Sequence, residues 1–101
     1  MKAALLYHQK VTVTNSRNLQ VAICELKVWE VPISKNYPDG VKYSLFLVSK
    51  ETGTVLVGFD NHGPKGAHLH RDGKEAPYHF KGVDEVIDDF WKLVKEEGFN
   101  L

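Results

Sequence analysis

The chain has 101 residues, of which 43% are hydrophobic and 26% charged, and its thirteen basic and thirteen acidic side chains give no net charge. This composition excludes a disordered or low-complexity chain, and the length predicts a single domain over residues 1–101. No stretch approaches the ~20 apolar residues of a membrane span, and the apolar run after Lys2 is too short for a signal peptide. The single cysteine, Cys24, excludes a disulfide framework. We therefore expect a cytoplasmic protein that does not associate with membranes.

The first third of the chain has the pattern of two long strands. Residues 5–14 and 19–31 are rich in β-branched and other apolar side chains, and the polar residues between them predict a hairpin turn. In the second arm the apolar residues change phase between Ile23 and Leu26. A β-bulge near Cys24 would restore one buried face, because an inserted residue reverses the alternation.

A second hairpin follows after a loop that contains two prolines. Residues 41–48 and 54–59 alternate apolar and polar side chains, and a short turn that includes Gly53 joins them. Val41, Tyr43 and Leu45 share one face of the first of these strands. This face is the predicted core side of the sheet.

The C-terminal part of the chain changes its period. Apolar residues recur every three or four positions, which predicts an amphipathic helix over residues 83–97. Between the predicted sheet, about residues 3–60, and this helix we expect a polar loop over 61–75 and a short strand over 76–80. The predicted fold class is α+β: a curved antiparallel sheet of about five strands, arranged as a meander, with one C-terminal helix packed on it.

The residues that could carry chemistry are concentrated before the helix. Residues 58–80 hold four of the five histidines and four of the eight glycines, with few aliphatic side chains. Long polar loops in compact domains are usually functional. Three interpretations compete, and the simplest is a solvated surface loop without a chemical role.

The second interpretation is a metal site. His68 and His70 stand two positions apart, so they point to the same side of an extended segment. Asp60, His62 or His79 could provide the third ligand of a catalytic zinc ion. The spacing matches no specific zinc signature.

The third interpretation is metal-free phosphate chemistry. Cleavage of RNA through its 2′-hydroxyl needs a base, an acid and a cation near the phosphate, and histidines can provide the first two near neutral pH. Lys65 and Arg71 could provide the positive charge, and Tyr78 could stack on a base. All these residue types are present, but their spacing is not diagnostic.

The residues before the helix form a combined pattern of four segments. They are Phe59-Asp60-Asn61, Gly63 with Lys65-Gly66, His68-Leu69-His70 and Gly73-Lys74-Glu75-Ala76-Pro77-Tyr78-His79-Phe80. This pattern resembles that of the TumE-type toxin family of prokaryotic toxin–antitoxin pairs. Two departures from the family pattern are Ala67, where an acidic residue is frequent, and Pro64. The resemblance implies a small toxin that is neutralised by a cognate antitoxin encoded by an adjacent gene, and RNA cleavage is the activity expected by analogy with other small toxins.

We therefore predict a toxin that cleaves RNA at a histidine-based site without a metal or other cofactor. Two alternatives stay open: a metal-dependent hydrolase that uses the His-x-His pair, and a non-catalytic module whose acidic helix face binds a protein. In the predicted site His68 and His70 are the acid–base pair, Lys65 binds phosphate and Asp60 orients a histidine. The predicted substrate-binding residues are Asn61, Arg71 and Tyr78.

Overall fold

The computed structural model describes residues 3–100, which form one antiparallel sheet and one α-helix. The strand order is β6-β5-β4-β3-β2-β1-β7, so β1 to β6 follow one another as a meander. The predicted α+β class is confirmed, but the sheet has seven strands within residues 3–100 rather than about five. The elements are β1 (Ala4–Asn15), β2 (Val21–Glu30), β3 (Val41–Ser49), β4 (Val55–Asp60), a 3-10 helix (Gly63–Lys65), β5 (His68–Arg71), β6 (Lys74–Pro77), α1 (Val83–Glu96) and β7 (Phe99–Asn100).

The segment predicted as a loop over 61–75 contains a hairpin. β5 and β6 pair with each other, and β5 also pairs with β4, so the sheet continues past the expected last strand. Asp72 and Gly73 form the turn, both with positive φ, which is the backbone conformation of a tight two-residue hairpin turn. The hairpin lacks an apolar alternation because it forms the edge of the sheet. The strand predicted at 76–80 is likewise displaced, since β6 ends at Pro77.

The β-bulge predicted near Cys24 is not observed. β2 pairs with both neighbours in continuous register, and its buried residues alternate regularly. The prediction was wrong because the core side of this strand begins with the small residues Ala22 and Cys24, whereas Val21 and Ile23 lie on the opposite face. Register irregularities occur elsewhere, near one end of β1 and between β3 and β4.

One face of the sheet packs against α1 and forms the hydrophobic core. The predicted helix stripe is observed, with Val86, Phe90 and Val94 buried against the sheet. Phe59 contacts Phe90 edge to face. The opposite face of the sheet has no helix over it within residues 3–100, so polar side chains there can meet solvent. The buried residues that the sheet adds to this core are Val13, Ala22, Cys24, Leu26, Val28, Tyr43, Leu45, Leu47, Val57, Phe59 and Phe99.

Candidate functional site

β4 and β5 place three reactive side chains on the face of the sheet opposite α1. In their antiparallel ladder Asp60 lies opposite His68, and Gly58 lies opposite His70. The intervening residue Phe59 is buried in the core, and successive side chains of a strand point to opposite faces. Asp60, His68 and His70 therefore project together from the other face, and we call them the Asp60 cluster.

His68 is held from both sides of its ring. Its Nδ1 lies 2.8 Å from the carbonyl oxygen of Gly66, and its Nε2 lies 2.6 Å from Oδ1 of Asp60. The residue is only 8% exposed. A carbonyl oxygen can only accept a hydrogen bond, so Nδ1 carries a proton and donates it to Gly66. This bond fixes the orientation of the ring.

The contact between His68 and Asp60 is close but is not a well-aligned hydrogen bond. Oδ1 of Asp60 is buried, and no donor among residues 3–100 is aligned to it. In the tautomer that carries its proton on Nδ1, toward Gly66, the ring presents a lone pair at Nε2. A lone pair and a carboxylate oxygen 2.6 Å apart repel each other unless a positive charge lies between or beside them.

His70 completes the Asp60 cluster and is the more accessible of its two imidazoles. Its Nε2 lies 3.7 Å from Oδ1 of Asp60, and its side chain is 29% exposed. Its ring meets that of His68 edge to face, with centroids 4.8 Å apart. One donor atom from each of the three residues lies within 4.8 Å of the others. His62 and His79, the other candidate third ligands, are exposed and lie outside the cluster.

Lys65 and Glu75 lie beside the Asp60 cluster. Nζ of Lys65 donates to Oε1 of Glu75 at 3.2 Å, and Oε2 of Glu75 lies 3.9 Å from Nδ1 of His70. The hydrogen bond from Lys65 lowers the pKa of the Glu75 carboxyl. The two side chains line an open pocket of about 270 Å³ that also includes His68. Glu75 is not among the residues predicted for the site, although an Asp-Gly turn at 72–73 indicates a hairpin in which it lies opposite His70.

A phenylalanine supports the cluster from the next strand. Phe46 lies opposite Gly58 in the β3–β4 ladder, and its ring contacts His70 with centroids 5.9 Å apart. A Cβ atom on Gly58 would overlap this ring. Gly58 is thus the residue that lets Phe46 lie under the imidazole of His70.

The three residues predicted to bind substrate lie apart from the cluster or are engaged in the fold. The side chain of Asn61 accepts a hydrogen bond from the backbone N–H of Tyr43 at 2.9 Å and donates to the carbonyl of Val41 at 2.8 Å. It therefore joins the end of β4 to the start of β3. Its amide groups are already paired with backbone.

Arg71 and Tyr78 lie on the helix side of the sheet. Arg71 follows His70 in β5, and its guanidinium pairs with Glu97 at 2.7 Å and with Glu96 at 3.3 Å. The hydroxyl of Tyr78 donates to Oδ2 of Asp89 in α1 at 2.5 Å. Burial and this hydrogen bond raise the pKa of Tyr78. Both side chains connect the edge of the sheet to the helix region.

The site thus combines two neighbouring histidines, a carboxylate with one buried oxygen and a nearby lysine on one face of an antiparallel sheet. The family model of the toxin TumE matches residues 2–97, nearly the whole chain. The chain belongs to the TumE toxin family. Comparisons with curated proteins and with solved structures give no match.

Membership in this family supports a toxin role and implies an antitoxin partner in general. Within residues 3–100, no helix is long and apolar enough to cross a membrane; α1 has 14 residues.

Proposed function

We propose that this toxin inhibits growth by cleaving RNA at the Asp60 cluster, that it acts in the cytoplasm, and that the antitoxin encoded by an adjacent gene neutralises it. The observation that carries the proposal is the convergence of Asp60, His68 and His70 on one open face of the sheet. The other face of the sheet is buried against α1 in the hydrophobic core. Family membership supports the toxin role, and the residue types of the cluster support phosphodiester chemistry.

The proposed reaction uses the 2′-hydroxyl of the RNA as nucleophile. A base takes the hydroxyl proton, the 2′-oxygen attacks phosphorus, and the bond from phosphorus to the 5′-oxygen breaks. An acid returns a proton to the 5′-oxygen, so the products are a 2′,3′-cyclic phosphate and a 5′-hydroxyl. His70 is the residue that we assign to proton exchange with RNA, because its side chain is 29% exposed and that of His68 is 10% exposed.

Asp60 and Lys65 have supporting roles in this proposal. The hydrogen bond to Gly66 holds His68 with its Nε2 2.6 Å from Oδ1 of Asp60, and the ring of His68 packs edge to face against that of His70 and helps to set its position. Lys65 is the phosphate-binding residue. Its side chain is 68% exposed, and an exposed ion pair such as the one with Glu75 contributes little stability, so a phosphate group can displace the carboxylate.

The test is induced expression of the wild type and of His70→Ala, with His79→Ala as the matched control at an exposed histidine outside the cluster. We expect growth arrest and RNA degradation with the wild type and the control. His70→Ala should abolish both, while its free energy of unfolding stays within about 0.5 kcal/mol of the wild type. Growth arrest without RNA degradation would contradict the proposed reaction, and a non-catalytic protein-binding module would then be the better explanation.

Metal-dependent hydrolysis is the second candidate for the chemistry, and a specific observation favours it. His68 is hydrogen-bonded to Gly66 through Nδ1 and its Nε2 faces the buried Oδ1 of Asp60, so the cluster offers one accessible imidazole rather than a free acid–base pair. A metal-bound water can supply the missing group in such a site. RNA cleavage by the purified protein with and without EDTA separates the two chemistries.

A further inference from the structure

We infer that Oδ1 of Asp60, Nε2 of His68 and Nε2 of His70 bind one divalent transition-metal ion. Two imidazoles and one carboxylate on one face leave the remaining coordination positions to water and substrate, as in catalytic zinc and non-haem iron sites. The binding is inferred from geometry alone. Its use in RNA cleavage rests on the metal-dependent form of the proposed function, in which a metal-bound water rather than Nε2 of His70 exchanges the proton.

The hydrogen bond of His68 leaves its second ring nitrogen available to a metal. Its Nδ1–H donates to the carbonyl of Gly66 at 2.8 Å, the arrangement in which a second ring nitrogen binds a metal. Gly66 presents that carbonyl at the end of the 3-10 helix, with a φ of 74° that glycine adopts without strain. The lone pair at Nε2 therefore points toward Asp60.

Asp60 has a buried carboxylate oxygen that a metal ion would neutralise. Oδ1 has no aligned hydrogen-bond donor among residues 3–100, although a buried carboxylate oxygen normally has one. It faces Nε2 atoms of two imidazoles, at 2.6 Å and 3.7 Å. Ligand atoms around a tetrahedral ion with bonds of 2.0–2.2 Å are separated by about 3.3 Å. The two observed separations lie on either side of this value, so small side-chain rotations would bring the atoms to it.

His70 is oriented with one ring nitrogen toward the cluster. Its Nδ1 faces Oε2 of Glu75 at 3.9 Å, and its Nε2 faces the cluster. At 3.9 Å the carboxylate is not hydrogen-bonded to the ring, but its negative charge favours the orientation in which Nδ1 points toward Glu75 and Nε2 toward the cluster. Nitrogen donors favour Zn²⁺, Co²⁺ and Ni²⁺ over Mg²⁺ and Ca²⁺, which prefer oxygen.

The experiment is calorimetric titration of tag-free, chelator-treated full-length protein with Zn²⁺, together with the visible absorption spectrum of the Co²⁺ complex. We expect one ion per chain in the wild type, and the intense absorption bands of low-coordinate Co²⁺. Asp60→Asn and His70→Ala should weaken Zn²⁺ binding at least tenfold. His62→Ala and His79→Ala are matched controls at exposed histidines outside the cluster, and they should bind as the wild type does.

Circular dichroism of each metal-free variant checks that it is folded, and His70→Cys, which keeps a metal-binding side chain, should recover part of the affinity lost in His70→Ala. Equal Zn²⁺ affinity in the wild type and in folded Asp60→Asn would overturn the inference, as would loss of binding in either control. Zn²⁺ binding without RNA cleavage would refute the proposed function and leave the metal site standing. RNA cleavage that resists EDTA, together with no Zn²⁺ binding, would refute the metal site and leave RNA cleavage as the function.

Discussion

Asp60 and His68 lie directly opposite each other on β4 and β5, and Oδ1 of the first lies 2.6 Å from Nε2 of the second. The central contact of the site is therefore set by the backbone pairing of two adjacent strands rather than by flexible loops. His70 joins the pair because it stands two residues further along the same strand. A site built on paired strands is held more rigidly than one built on loops.

The first prediction concerns Asn61, which we expect to stabilise the fold rather than to bind substrate. Asn61→Ala removes two hydrogen bonds to the backbone of β3 and leaves those backbone groups without their partner. We expect a loss of about 1–3 kcal/mol in the free energy of unfolding, measured by urea denaturation. Asn61→Asp keeps the hydrogen-bond acceptor but not the donor, so its free energy of unfolding should lie between those of the wild type and Asn61→Ala. Wild-type stability in Asn61→Ala, together with weaker RNA binding, would restore the substrate-binding role.

The second prediction concerns Arg71, whose guanidinium connects β5 to the end of α1 through Glu97 and Glu96. Arg71→Ala should lower the free energy of unfolding by about 0.5–1.5 kcal/mol, because Arg71 donates two hydrogen bonds to Oε2 of Glu97 and one to Glu96 but is partly exposed. Growth inhibition should persist at a temperature where the variant is folded. A double-mutant cycle with Glu97→Ala should give a coupling energy of about 0.5–1 kcal/mol that decreases in high salt. A coupling energy of zero would refute this role.

The third prediction contrasts two tyrosines. The hydroxyl of Tyr43 is buried and has no hydrogen-bond partner among residues 3–100, whereas that of Tyr78 donates to Asp89. Tyr43→Phe should therefore leave the free energy of unfolding unchanged or raise it by about 1 kcal/mol. Tyr78→Phe should lower it by about 0.5–1.5 kcal/mol. Chemical denaturation of the two variants in parallel checks this, and the opposite order would contradict it.

The fourth prediction is a pH dependence above the ordinary tyrosine pKa of 10.0. Burial raises the pKa of Tyr43 in the folded protein, and burial together with the bond to Asp89 raises that of Tyr78. In this pH range the folded state holds protons that the unfolded chain loses, so the stabilisation is fully present below pH 10 and decreases as the pH rises.

The measurement for this fourth prediction is the free energy of unfolding at pH 9 and pH 11. The decrease between the two should be smaller by about 1 kcal/mol in Tyr43→Phe than in the wild type, since one pKa unit corresponds to about 1.4 kcal/mol. The decrease in the free energy of unfolding should also be smaller in Tyr78→Phe than in the wild type. An equal decrease in the wild type and both variants would refute the assignment.

The fifth prediction concerns the support of His70 by Phe46. Gly58→Ala would place a methyl group inside the volume of the Phe46 ring, so the ring must move. We expect a loss of about 1–3 kcal/mol in the free energy of unfolding. Phe46→Leu in the Gly58→Ala background should recover part of this loss, because the smaller side chain makes room. If Phe46→Leu destabilises both backgrounds equally, the two residues are not coupled in this way.

The periodic patterns of the sequence are sufficient to predict most of the fold. Alternation at period 2 predicts β3 and β4, and the helical spacing predicts α1, because each pattern reflects which side of an element is buried. They are insufficient for the edge hairpin β5–β6, which has little apolar surface to bury. The turn Asp72-Gly73 was its signal, and it depends on local backbone geometry rather than on hydrophobic pattern.

The sequence by itself determined that this chain carries an α+β fold, and that His68 and His70 share a side of an extended segment. Only the tertiary structure decided which polar residues meet. Asn61 meets Tyr43 across 18 positions and Arg71 meets Glu97 across 26, and neither partner is visible in local spacing. The reason is physical: a side chain's partner depends on strand register and on how the helix packs, and both are set by the burial of the whole core.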